Sequence, residues 1–383
     1  MIKSFTANTR EIDDPKAAVS EILEALDMEK NLLKNSLGII SCFSEFGETG
    51  VLKAICDALP FECIGTTTCL CATGTEMDQM LLTIMVLTSD DCEFCTTMIQ
   101  IDDNYESVIP PKMDELFQKL SKKPSLFMGY FPLMNNLGGD LVLAVLDKAT
   151  EGIPIYGTLA VDHNMDYSTA LTIYRGELCK DALVLGGIIG EFEMHFDIAS
   201  IREDKIKRQK AIITESKGNI LIGINGKTAL DYLEEIGLSR DDLSIGVGVV
   251  PLAISHEDGT KPVTRGVFAT TPEGYVVAGG GMPVGATISL GHINEDDVIS
   301  TTADVMKKIV KKDSVIFSYS CIGRYLVLKL NETAEARKIF EIAGEEVNYL
   351  FSCSGGEICP LYDTDGKLKN HFHNYTNVFC RLG

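Results

Sequence analysis

The sequence predicts an α/β protein in two parts, built from strand–helix–strand units with mixed sheets and a more β-rich stretch at the start of the C-terminal part. Three observations predict it. Short apolar runs ending in Gly, Ser or Thr alternate with amphipathic stretches at helical spacing. A strand–helix–strand order occurs three times along the chain. The length of 383 residues exceeds the usual size of one domain, and a 45% hydrophobic, 23% charged composition supplies enough apolar side chain for several cores.

At the N-terminus, residues 2–6 alternate as a strand does. Asp13 or Asp14 can cap a following helix, Pro15 suits its first position, and Val19, Ile22, Leu23 and Leu26 share one face. The first unit follows: an apolar strand over 36–43, a polar loop over 44–50, a helix over 51–59, and a strand ending at Ile64-Gly65-Thr66-Thr67. The order returns with a strand over 125–130, a helix over 140–148 and a strand over 155–159. A third copy has a strand at 315–318, a helix over 333–342 and a strand over 349–353 that runs into Ser354-Gly355-Gly356. Polar residues around 214–219 separate two apolar stretches, so the division is placed between 1–215 and 216–383. Beyond it, 244–250 and 274–278 read as strands.

Charge excludes some partners. With 55 acidic and 34 basic residues the net charge is −21, a surface that repels phosphate backbones and anionic headgroups. The basic stretch Lys205, Lys207, Arg208, Lys210 is diluted by Glu203 and Asp204 and reads as a solvated face. Neither nucleic acid nor membrane is an expected partner. The opening residues do not read as a signal peptide, and the apolar run at 81–87 is too short to span a bilayer. The expected location is therefore cytoplasmic, with the 12 cysteines as reduced thiols.

Several motifs fail on spacing. Gly226-Lys227-Thr228 would need a glycine at 221 to wrap a phosphate, and that position is Leu221; the segment reads as a turn before a helix. Gly279-Gly280-Gly281 and Gly285 do not meet a dinucleotide fingerprint. Cys92-Glu93-Phe94-Cys95 lacks the second regular pair that structural zinc uses. There is no nucleophile elbow and no zinc-protease motif, which leans the reading away from an enzyme.

A polar constellation remains near predicted strand ends: Arg324, Cys353, Glu357, and the alternating stretch His371-Phe372-His373-Asn374-Tyr375-Thr376. Arg324 can pair bidentately with a carboxylate. Glu357 can receive an ammonium group or orient Arg324, while Asn374 and Thr376 offer neutral hydrogen bonds. An amino-acid-like zwitterion would meet all of these, and an internal Arg324–Glu357 ion pair is the structural alternative.

On these residues the chain resembles the FIST family, whose members pair a FIST N with a FIST C domain. Phe317 to Arg324 is similar to its strand-Cys-x-x-Arg segment, Gly356-Glu357-Ile358-Cys359-Pro360 to its Gly-Glu-Ile-x-Pro element, and His373-Asn374-x-Thr376 to its terminal His-Asn-x-Thr. Val263-Thr264-Arg265 is similar to the start of the second domain's core. The resemblance implies a sensory, signal-transducing protein that binds a small ligand, with amino acids or similar small carboxylates as the class. The site residues it implies are Arg324, Glu357, Asn374, Thr376, His373 and Cys353. A separate protein is expected to carry the output. Haem-based gas sensing, with His163, His371 or His373 on iron, is an alternative cofactor reading. A Cys353 or Cys321 nucleophile activated by His373 is the enzyme alternative.

Overall fold

The computed structural model describes every residue except 103, 135–136, 165–166, 208–209, 239–250, 256–261 and 364. The strand expected at 244–250 lies outside the described residues.

Three units of like order make up the body. The first contains β1 (Lys3–Thr9), α1 (Pro15–Leu26), a single turn α2 (Met28–Asn31), β2 (Asn35–Cys42), a single turn α3 (Glu45–Glu48), α4 (Val51–Ala58), β3 (Cys63–Thr67), the short strands β4 (Cys71–Thr73) and β5 (Glu76–Asp78), and β6 (Leu82–Ser89). The second contains β7 (Glu93–Gln100), α5 (Tyr105–Lys119), β8 (Leu126–Phe131), α6 (Gly139–Ala149), β9 (Ile155–Leu159), β10 (Thr172–Tyr174), β11 (Glu177–Cys179) and β12 (Ala182–Ile189).

The third opens with β13 (Met194–Ala199) and is then interrupted by a module. That module holds β14 (Ala211–Lys217), β15 (Ile220–Ile224), β16 (Lys227–Thr228), α7 (Ala229–Glu235), β17 (Leu252–Ser255), β18 (Val263–Arg265), β19 (Val267–Thr270), β20 (Val276–Ala278) and β21 (Thr287–Leu290). The third unit resumes with α8 (Glu295–Ile309), β22 (Val315–Cys321), α9 (Ile322–Leu328), α10 (Ala334–Ala343), β23 (Asn348–Ser354), β24 (Glu357–Tyr362), β25 (Leu368–His373) and β26 (Asn377–Leu382).

The three body sheets repeat one plan. Their strand orders are β1-β6-β2-β3-β10-β11, β7-β12-β8-β9-β24-β25 and β13-β26-β22-β23-β4-β5. In each, a parallel pair (β2 with β3, β8 with β9, β22 with β23) carries the crossover helix. In each, the last two strands are a hairpin donated by another unit. The second unit's hairpin completes the first sheet, the third's completes the second, and the first's completes the third. The exchange therefore closes in a ring.

Equivalent positions behave alike. Thr66, Thr158 and Ser352 each donate their hydroxyl to the carbonyl of the following residue, at 3.1, 2.9 and 3.2 Å. Gly65 and Gly157 occupy matching crowded places, since a Cβ would stand 1.8 Å from the carbonyl oxygen of Ile40 or Gly129. The alternating helical and extended segments expected from the sequence are present, and the C-terminal part does begin with the β-rich module. The expected division at 215/216 falls inside β14.

Burial follows the layering. One core lies where the inner faces of all three sheets meet, with Ile39, Ile64, Tyr130, Tyr156, Phe317, Tyr319 and Val378 all buried. Tyr130 and Tyr319 join hydroxyls at 2.8 Å there, and Tyr156 donates to the Phe317 carbonyl at 2.8 Å. Outer faces are covered by α1 and α4, by α5 and α6, and by α8 and α10, each with its own core. The module has a separate core, which includes Leu221, Leu230, Ile254 and Ile288. Among the described residues no helix is long and apolar enough to cross a membrane.

Candidate functional site

A cavity of about 520 Å³ opens where the ends of parallel strands meet the inserted module. Leu159 closes β9, Gly355 follows β23, and Ile322 follows β22, so the floor is made at the carboxyl ends of strands, where α/β sheets leave room for ligands. Leu133, Leu137 and the α6 N-terminus at Gly138 and Gly139 form one side. Phe268 and Ala269 of β19, Val277 and Ala278 of β20, and Gly279 form the side belonging to the module. The walls are mostly apolar, with Asn219 and Tyr167 as polar side chains and the Tyr167 hydroxyl lacking a partner among the described residues.

A polar layer stands behind this cavity. The turn from β25 to β26 carries His373, Asn374, Tyr375 and Thr376, and Tyr375 takes a left-handed φ of 56° to make it. Thr376 donates its hydroxyl to Glu357 Oε2 at 2.8 Å and its N–H to the same oxygen at 3.4 Å. Glu357 Oε1 and Asn374 Oδ1 are buried with no hydrogen-bond partner among the described residues. Burial pushes the Glu357 carboxyl up to about 8, against the opposing hydrogen bonds of Thr376, so it holds its proton at neutral pH. Burial also drives His373 down to about 3, which keeps the imidazole neutral; His371 and Arg265 push the same way.

Arg265 is the cation of this layer. It is 7% exposed, donates to the carbonyls of Thr264 and Phe372 at 3.1 and 3.0 Å and of Gly281 at 3.3 Å, and lies 5.6 Å from the Phe372 ring centre. Gly281 in turn donates its N–H to Asp140 Oδ2 at 2.6 Å, tying the module to the first turn of α6. In the sequence Arg265 stands out only as the end of the family-like segment Val263-Thr264-Arg265; an arginine closing an apolar and hydroxyl-bearing strand is the available signal.

The structure separates the expected constellation into two groups. Glu357, His373, Asn374 and Thr376 come together. Arg324 does not pair with Glu357. Its partner is Glu335 of α10, at 2.7 and 3.1 Å, and it also donates to the carbonyl of Val298 at 2.9 Å and the hydroxyl of Thr302 at 3.0 Å. The pair is buried, with Arg324 0% and Glu335 1% exposed. Two helices supply this partner set, which strand-end reasoning could not see. Cys353 is buried, and desolvation and the adjacent Cys69 hold its thiol well above the ordinary range. Cys321 is held up likewise by burial and by Glu357. Such thiols carry little thiolate, so neither fits an activated nucleophile.

Haem fits poorly. An axial imidazole must face a cavity, and among the described residues no histidine lines this one. His163 instead packs on Phe43, with ring centres 4.4 Å apart.

Comparison with known proteins places the chain. The FIST N domain model matches residues 36–227 and the FIST C domain model residues 229–360. No curated protein matches. Among solved structures, one described as a cyanuric acid hydrolase arising by structural concatenation is 9% identical, with 100% of this chain and 98% of that chain covered and a TM-score of 0.32. Phosphoribosylformylglycinamidine synthase II from Thermotoga maritima is 12% identical, with 100% and 71% covered and a TM-score of 0.19. Similarities at this level carry no statement about chemistry.

Proposed function

The chain belongs to the FIST family, and from that premise we propose that it is a sensory protein that takes a small ligand into the cavity between its three-unit body and its module. FIST domains are generally associated with small-ligand sensing and signal transduction. The observation that carries the reading is the cavity of about 520 Å³, apolar on most sides and backed by a buried polar layer, within the size range of small-molecule sites. Of the amino acids and similar small carboxylates, an amino acid with an apolar side chain is the ligand we assign to it.

In this reading Glu357, His373, Asn374 and Thr376 form the layer that senses the ligand's polar end. Arg324 and Cys353 act at one remove, by fixing strand and helix ends around it. A contact between module and body offers a route to output, because Gly281 and Arg265 link the cavity wall to α6 and β25. That output belongs to a separate protein. Twelve unpaired thiols suit a reducing compartment, and we place the protein in the cytoplasm.

The test is a melting-temperature screen against the apolar amino acids, run on the natural protein and on Val277→Trp, which fills the cavity from β20. A ligand at a hundredfold excess over its Kd adds about 2.7 kcal/mol of apparent stability. We expect a saturable upward shift with at least one of them, lost in Val277→Trp. A shift that survives the substitution would put the ligand elsewhere and overturn the reading.

A further inference from the structure

The cavity wall lacks side chain at two places, and an oxygen without a partner stands behind each. A Cβ at Gly279 would lie 2.6 Å from Asn374 Oδ1, and one at Gly138 would lie 2.5 Å from Asp140 Oδ1. Both glycines line the cavity, and neither oxygen has a hydrogen-bond partner among the described residues. Asn374 is 2% exposed, so water reaches it poorly. Buried acceptors left unmatched are costly, and a ligand that supplies the donor recovers that cost as affinity.

Charge points to the kind of donor. Asp140 sits in the first turn of α6, where a carboxylate offsets the positive end of the helix. An anion at this wall faces the Asp140 charge as well as the backbone N–H groups. The Arg265 guanidinium gives three of its five N–H groups, on Nε and Nη1, to carbonyl oxygens. An ammonium group finds a charged and a neutral acceptor here, both without a partner among the described residues, with apolar walls for its chain, while a carboxylate has the Asp140 charge against it.

We propose that the cavity recognises its ligand by a protonated primary amine, held by Asn374 Oδ1 and Asp140 Oδ1, and that a carboxylate on the same molecule is secondary. This rests on the cavity being the ligand site. The experiment uses three probes with one apolar body: leucine, 3-methylbutylamine, which lacks the carboxylate, and 4-methylpentanoate, which lacks the amine. Affinity is measured calorimetrically on the full chain.

The amine is expected to bind within about tenfold of leucine and the acid at least about tenfold more weakly. Asn374→Leu should weaken the amine by at least about tenfold, while Asn374→Asp, which keeps an acceptor, should not. Should Asn374→Leu fail to fold by circular dichroism, Asp140→Asn takes its place, and must weaken the amine while leaving the acid unchanged or tighter.

If the acid binds as well as the amine, and Val277→Trp abolishes both, the head-group proposal fails and the cavity reading stands. If any probe binds equally well to Val277→Trp, the cavity reading itself fails. No binding by any of the three overturns the head-group proposal, and overturns the cavity reading as well if no apolar amino acid shifts the melting temperature.

Discussion

Arg324 and Glu335 show what a buried charge pair demands of its surroundings. Burial alone would raise the Glu335 carboxyl, but the Arg324 charge, with hydrogen bonds from Arg324, Ser320 and Thr302, holds it below the ordinary carboxylate range. Removing one partner leaves the other charged and unpaired in the interior. Arg324→Ala should therefore lower stability by about 3–5 kcal/mol in urea denaturation. A change under about 1 kcal/mol would show that the pair does not anchor the strand end. Glu357 titrates the opposite way. Its folded pKa of about 8 lies above the ordinary 4.5, so the folded state binds more protons between those values. Its contribution is fully present below about 4.5 and is lost as pH rises through about 8. Glu357→Gln should flatten the decline in melting temperature across that window; an unchanged decline would assign it to another group.

Local signals settled the starts of three helices. Asp14 accepts from the N–H groups of Lys16 and Ala17 at 2.9 and 3.2 Å, with Pro15 at the first helical position, as the sequence suggested. Asn225 and Gly226 have φ values of 51° and 76°, a tight turn into β16, and Thr228 accepts from the Asp231 N–H at 3.3 Å to start α7. That arrangement accounts for Gly226-Lys227-Thr228 without a phosphate. Asn294 and Asp297 form a reciprocal capping box on α8, at 2.9 and 3.1 Å. Replacing the cap, Asn294→Ala, should destabilise the protein by about 1 kcal/mol, read as a shift in the urea midpoint with an unchanged slope. The cap is a local feature, yet α8 also supplies the Val298 carbonyl and Thr302 hydroxyl to Arg324, so fraying at its start reaches the buried pair.

At the scale of the molecule, the ring of exchanged hairpins makes the two family segments interdependent. β24 and β25 complete the second unit's sheet, and β4 and β5 complete the third's. A fragment of residues 1–227 would leave β9 without its β24 neighbour and would expose inner faces that belong to the shared core. We expect that fragment to lack a cooperative thermal transition by circular dichroism. Removing only the module, by joining 206 to 292 through a short flexible linker, should leave the body folded with a cooperative melt and abolish ligand binding. A cooperative 1–227 fragment would instead show that the hairpin exchange contributes little to folding.

The sequence by itself determined the α/β class, the three strand–helix–strand units, the β-rich start of the C-terminal part and the cap of the first helix, because each rests on periodicity or on residues within a few positions. It also brought Arg324, Cys353, Glu357, His373, Asn374 and Thr376 forward together, and paired strands and one turn unite the last four of these. Only the tertiary structure decided that Arg324 faces Glu335, that Arg265 enters the polar layer, and that glycines at 138 and 279 leave oxygens behind a cavity wall. Those facts depend on which helix crosses which strand end and on hairpins passed between units. Such contacts join residues far apart in the chain, and no local pattern encodes them.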